Sequence, residues 1–108
     1  MNKLNSLILE GKLLDNAKQV ETYNGIPEVK FTLDYERVEN NGRVHNIDFD
    51  VVVYGRGGVI QLERLKKDRE VRIVGRLDQT KWKNVNGDEF SKIYIVAEHI
   101  EVKPVMKK

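Results

Sequence analysis

Ile47-Asp48-Phe49-Asp50-Val51-Val52-Val53-Tyr54-Gly55-Arg56-Gly57-Gly58-Val59-Ile60 decides the architecture, because two periodicities meet inside it. Up to Tyr54, the residues Ile47, Phe49, Val51 and Val53 alternate with Asp48, Asp50, Val52 and Tyr54, which is the period of two of a half-buried strand. After Gly55 the pattern changes. Val59, Ile60, Leu62 and Leu65 recur near helical spacing, so a helix is expected from Gly57 to Lys67. Lys66 and Lys67 stand at its end, where cations suit the helix dipole.

Outward from this junction the period of two persists. Leu7, Leu9, Gly11 and Leu13 form one face of a first strand, opposite Ile8, Glu10 and Lys12. Val29, Phe31, Leu33 and Tyr35 alternate with Lys30, Thr32, Asp34 and Glu36 in a second. Beyond the helix, Val71, Ile73, Gly75 and Leu77 mark a fourth strand against Arg72, Val74, Arg76 and Asp78. The fifth, Lys92 to Val102, is apolar on both faces over Ile93 to Ala97 and is expected to be covered on both sides. Asn24-Gly25-Ile26-Pro27, Asn41-Gly42 and Asn86-Gly87 separate the runs with turn chemistry. Three strands, one helix and two strands predict an all-β OB-fold, a five-stranded Greek-key barrel with one helix between strands 3 and 4. Residues 1–103 are expected to form the domain and 104–108 a short basic tail.

A chain of 108 residues suits one domain, and 40% hydrophobic residues suffice for a single core. The mean hydropathy of -0.53 places many charges on the surface. Nineteen basic and 17 acidic side chains leave a formal charge of +2, so attraction to a polyanion depends on where the charges sit. The absence of cysteine excludes disulfides, thiolate metal sites and a cysteine nucleophile, and fits a reducing compartment. Leu4 to Leu9 is soon interrupted by Glu10 and Lys12, too early for a signal peptide or a membrane span. A cytoplasmic protein without membrane contact is expected.

Catalytic constellations are not found in the sequence. Asp48 and Asp50 share a strand face and could share Mg²⁺, but no further ligand accompanies them, and a lone pair reads as a solvated edge. Gly55-Arg56-Gly57-Gly58 lacks the lysine and hydroxyl of a nucleotide loop. His45 and His99 have no serine and acid around them. No enzyme, metal or cofactor is expected.

Several stretches together resemble the bacterial single-stranded DNA-binding proteins. They are Asn5 to Leu13, Phe49 to Gly55, Val74-Gly75-Arg76-Leu77, Lys81-Trp82, and Ser91 to Ile100, in this order over residues 4 to 102. Asn24-Gly25-Ile26-Pro27 running into Phe31 and Leu33 is similar to primosomal replication protein N, a short dimeric cousin. The resemblance implies sequence-independent binding of single strands in replication, recombination and repair, by a homotetramer or a homodimer associated with the bacterial nucleoid. Replication or repair proteins are implied as partners. The acidic tail through which the main family recruits them is not seen after Pro104. An OB-fold adapter with weak nucleic-acid binding is the alternative, and single-stranded RNA the alternative ligand.

A binder of single strands needs aromatic plates for bases and cations for phosphates. Trp82, flanked by Lys81 and Lys83 on a hairpin arm, matches a stacking tryptophan of the family, and Tyr54 matches another aromatic site. Glu39 and Asp48 stand at two further stacking positions, so fewer plates and weaker binding are expected. Phe49 is assigned to the core by parity but would compensate for Asp48 if the register slips by one. Phe90 and Tyr23 are secondary candidates from the loops. Arg76, Arg72, Lys30, Arg37 and Arg43 are the remaining site cations, with Arg56 and Lys92 behind them.

Overall fold

In the computed structural model, which describes residues 3–22 and 24–105, alternation produces six strands and one short helix. Tyr23 and residues 106–108 of the expected tail lie outside the described residues. The strands are β1 (Leu7–Leu13), β2 (Lys18–Val20), β3 (Glu28–Val38), β4 (Val44–Tyr54), β5 (Glu70–Lys83) and β6 (Glu89–Val102). Between β4 and β5 lies helix α1 (Arg56–Gln61), extended by a 3-10 turn at Leu62–Arg64. The sheet runs β1-β5-β6-β4-β3, and pairing of Leu13 with Leu33 and Lys12 with Asp34 returns β3 to β1 and closes the barrel. This is the expected five-strand OB arrangement.

The sixth strand, β2, was not legible as a strand. It adds to the edge of β3 that β1 leaves vacant, pairing Lys18 with Lys30 and Val20 with Glu28. All pairings are antiparallel except β4 with β6, where Val51 meets Ile95 and Val52 meets Val96.

Inward-facing residues of every barrel strand make the core: Leu13, Leu33, Val51, Ile73, Ile95 and Ile100 are all buried. Leu65, with no exposed surface, joins them from the segment after the helix. A bulge reconciles β6 with this core. Val74 faces His99 while Gly75 faces Ala97, so Glu98 has no opposite number and the alternation shifts by one. Ala97 and Ile100, an odd number of positions apart, therefore both point inward. Gly75 permits the close approach this needs, since a Cβ there would lie 2.1 Å from the carbonyl oxygen of Val96.

The helix is shorter than its apolar spacing predicts. Leu65 leaves helical geometry at φ -89°, ψ 69° to drop its side chain into the core, so Lys66 and Lys67 lie beyond the helix end. Gly58 sets how closely α1 packs, because a Cβ there would stand 3.0 Å from the Cβ atoms of both Val29 and Val53. The two-sided apolar run of β6 is also resolved. Ile95 and Ala97 face the core, whereas Val96 faces outward yet is buried beside Val52. Ile93 is 64% exposed, so no strand among the described residues covers it. No helix among the described residues is long and apolar enough to cross a membrane.

Candidate nucleic-acid interface

Strand parity sends the polar set of each strand to the outside, and on β2, β3, β4 and the β5–β6 hairpin these outer faces adjoin. They form a groove of about 510 Å³. Val52 and Thr32, the rings of Tyr54, Tyr94 and Trp82, the cations Lys18, Lys30 and Lys92, and the acids Asp15, Glu28 and Asp50 are among the residues that line it. Tyr54 is 44% exposed, as its parity predicts. Its hydroxyl lies 3.5 Å from that of Tyr94, a hydrogen bond in which either oxygen can donate. That bond, together with partial burial, pushes the Tyr54 phenol up to about 12, so its ring stays neutral at ordinary pH.

Trp82 stands where β5 and β6 extend past the barrel as a two-stranded ribbon. It is opposite Phe90, and the two rings stack with centroids 5.9 Å apart and planes 20° from parallel. Such packing fixes the indole without covering it: Trp82 remains 47% exposed and Phe90 45%. The ribbon's turn is held by Asn84, whose side-chain oxygen accepts from the backbone N–H groups of Asn86 (2.9 Å) and Asp88 (3.0 Å). Gly87, at φ 84°, supplies the left-handed residue that Asn86-Gly87 signals.

The lysines flanking Trp82 do not share its face. Pleating directs Lys81 and Lys83 to the opposite side of the ribbon, where Lys83 pairs with Glu89 at 3.6 Å. They meet Trp82 only around the ribbon's edge, in a second hollow shared with Glu89, Phe90 and Ser91.

Most candidate cations are held by acids. Lys30 lies 3.9 Å from Glu28 and Arg76 lies 3.8 Å from Glu98. Lys92 lies 2.9 Å from Asp50, which also accepts from the Thr32 hydroxyl at 3.4 Å. Arg72, on the outer face of β5, bridges Glu10 at 3.1 Å and Glu101 at 3.5 Å. Lys103 and Arg72, both hydrogen-bonded to Glu10, hold its carboxyl below the usual carboxylate range. Lys18 forms no ion pair among the described residues.

The structure thus brings together Tyr54, Trp82, Lys30 and Lys92 from the residues singled out in the sequence. Arg37, 3.7 Å from Glu39, and Arg43 lie on the β3–β4 hairpin outside the groove lining. Phe49 keeps its core-facing parity: it is partly buried and packs at 57° against Tyr35, with centroids 6.5 Å apart. Sequence reading missed Tyr94 and Lys18. Tyr94 was hidden inside an apolar run, although its parity with Lys92 marks the outer face. Lys18 sits on a strand of three residues, too short for any periodicity.

A family model described as the single-strand binding protein family matches residues 4–103. Curated proteins named single-stranded DNA-binding protein are similar over nearly the whole chain. The one from Aquifex aeolicus is 34% identical over 103 residues, covering 92% of this chain and 69% of its own length. That of Borreliella burgdorferi is 27% identical, covering 94% and 71%. That of Treponema pallidum is 29% identical, covering 94% of this chain and 59% of its own length. A solved structure, a deletion mutant of the single-stranded DNA binding protein from Thermus aquaticus, superposes with a TM-score of 0.73 at 21% identity. It aligns with 94% of this chain and 51% of its own, which establishes the shared fold.

Proposed function

The chain belongs to the single-strand binding protein family, and from that premise we propose that its outer groove binds single-stranded DNA, without requiring a sequence motif, in replication, recombination and repair. The observation that carries the reading is the groove itself, where three exposed or half-buried aromatic rings and three lysines adjoin on one face of the family's barrel. Every base has a π-face, so such plates accept any sequence, and lysines follow the phosphates.

In this reading Trp82 and Tyr54 stack bases, Phe90 backs the indole, and Lys30, Lys18 and Lys92 contact phosphates. Arg76 and Arg72 extend the path along the outer face of β5. Lys81 and Lys83 attract the strand from the ribbon's far side, and Arg37 and Arg43 serve longer strands that pass the β3–β4 hairpin. Phe49, partly buried against Tyr35 and outside the groove lining, takes no part in the contact. Binding needs no bond to be made or broken, and the protein acts as a binder without catalysis on the nucleoid.

Assembly into a dimer or tetramer accompanies the reading. Ile8, 70% exposed on the outer face of β1 opposite the half-buried Val74, supports a contact between copies through that strand. Sedimentation velocity distinguishes the assemblies, and a monomer at micromolar concentration would refute them.

The single tryptophan provides the experiment. Titration with an oligothymidine, followed by Trp82 emission at low and moderate salt, is expected to show quenching that salt weakens. Matched duplex should leave the emission unchanged. Absence of both quenching and complex formation would overturn the DNA-binding reading. The match across residues 4–103 favours that reading over an adapter.

A further inference from the structure

We propose that Asp50 reads base edges inside the groove, favouring bases that carry an exocyclic amine over those that present only carbonyl oxygens there. The inference rests on the groove being the DNA site and adds a chemical preference to it. A carboxylate on a polyanion-binding face repels phosphates, so its presence there requires compensation. Lys92, 2.9 Å away, supplies the neutralising charge. The Thr32 hydroxyl, directly across the β3–β4 pairing, donates to Oδ1 at 3.4 Å and fixes the group's orientation.

Those two donors do not exhaust the acceptor. An ionised carboxylate offers about four lone-pair sites, and it accepts only. The Asp50 side chain is 48% exposed, and it lines the groove with Tyr54, Tyr94 and Trp82. A base lying on one of those rings turns its edge toward the strand surface between them. An amine there, such as N4 of cytosine, donates to Asp50, as cytosine N4 donates to Asp and Glu carboxylates in base readout elsewhere. A uracil or thymine presents O4 at the same point, where two acceptors face each other and neither is satisfied. Lys92 does not rescue that contact while its ammonium is held on Asp50.

Deoxycytidine and deoxyuridine oligonucleotides of equal length isolate the effect, since the two bases differ only in the amine or carbonyl at position 4 and the proton that uracil carries at N3. Binding is measured by Trp82 quenching and by anisotropy of a labelled strand, at slightly alkaline pH to keep cytosine neutral. The wild-type protein is expected to bind the deoxycytidine strand about three- to tenfold more tightly, below the discrimination of a full bidentate base contact because the site is wet. Asp50→Asn offers both a donor and an acceptor and leaves the Lys92 ammonium wholly to phosphate. It should tighten binding of both strands while bringing their ratio close to one. Asp50→Ala should also abolish the preference, with thermal melts confirming that each variant is folded.

If Asp50 acts only through its charge, Asp50→Asn would raise both affinities equally and keep the ratio, which would overturn the inference. Tighter binding of deoxyuridine by the wild type would overturn it as well, in both cases with the DNA-binding reading intact. Failure of the wild type to bind either strand would overturn that reading and this one together.

Discussion

Raising salt provides a quantitative test of the groove, because its lysines set how many phosphates one chain neutralises. Lys18, Lys30 and Lys92 line it. Each phosphate contact on a single strand contributes roughly 0.7 to the slope of log affinity against log salt, so three predict a slope near -2. A fourfold rise, from about 50 to 200 mM, should then weaken binding of a short oligothymidine by roughly 18-fold per chain. Ligands of about eight nucleotides keep the measurement within one barrel. Lys18→Ala is the informative variant, since Lys18 enters the contact without first leaving an acid. Its slope should fall by about 0.7. Lys30→Ala and Lys92→Ala should cost less affinity at low salt, because wild-type Lys30 must first separate from Glu28 and wild-type Lys92 shares its ammonium between phosphate and Asp50. A wild-type slope near zero, or a slope that Lys18→Ala leaves unchanged, would refute the assignment of these lysines to phosphate.

Other expectations concern the plates and the barrel. Trp82→Ala removes one stacking surface worth about 1–3 kcal/mol, a roughly 5- to 150-fold loss of affinity in an anisotropy titration, while the melting temperature stays nearly constant. Gly75→Ala places a Cβ 2.1 Å from the Val96 carbonyl oxygen at the bulge. The strands must part to admit it, at a cost of about 1–3 kcal/mol or more, and at ~4–8 °C per kcal/mol a circular-dichroism melt should show the loss clearly. An unchanged melt would mean the bulge is looser than described. Tyr54 should ionise near pH 12 in an alkaline absorbance titration. Its folded value is raised, so the associated stability is complete below the ordinary tyrosine value near 10 and declines as pH climbs from there toward 12. Tyr94→Phe removes the first cause of the shift, and both the titration and the alkaline decline should move toward ordinary tyrosine behaviour.

The barrel strands were legible because a closed sheet has one wet and one dry face, and alternation records that directly. Residues that depart from alternation carried information that one-dimensional reading misassigned. The helix was expected to reach Lys67 because Leu65 sits at helical spacing, yet Leu65 is buried by leaving the helix. Tyr94 and Val96 made β6 look two-sided, whereas Val96 is covered by Val52 of the parallel neighbour, a pairing invisible along the chain. Part of the site was legible from parity: Tyr54 faces outward and Phe49 packs toward the core, as its alternation requires. The grouping of Lys81 with Trp82 ignored the pleat that separates them. No sequence signal showed that Lys92 and Lys30 are engaged by acids, since ion pairs between strands depend on register.

The ribbon formed by Gln79–Lys83 and Glu89–Ile93 gives the molecule a ruler with discrete graduations. Adding one residue to each arm between the barrel and Trp82 would rotate the indole to the reverse side, beside Ile93 and away from Tyr54. Two residues per arm would restore its aspect and carry the Trp82–Phe90 pair about 6–7 Å farther out. The span of nucleic acid engaged by one chain can therefore lengthen or shorten only in even increments, and each increment lies in a segment the barrel does not need for its own cohesion.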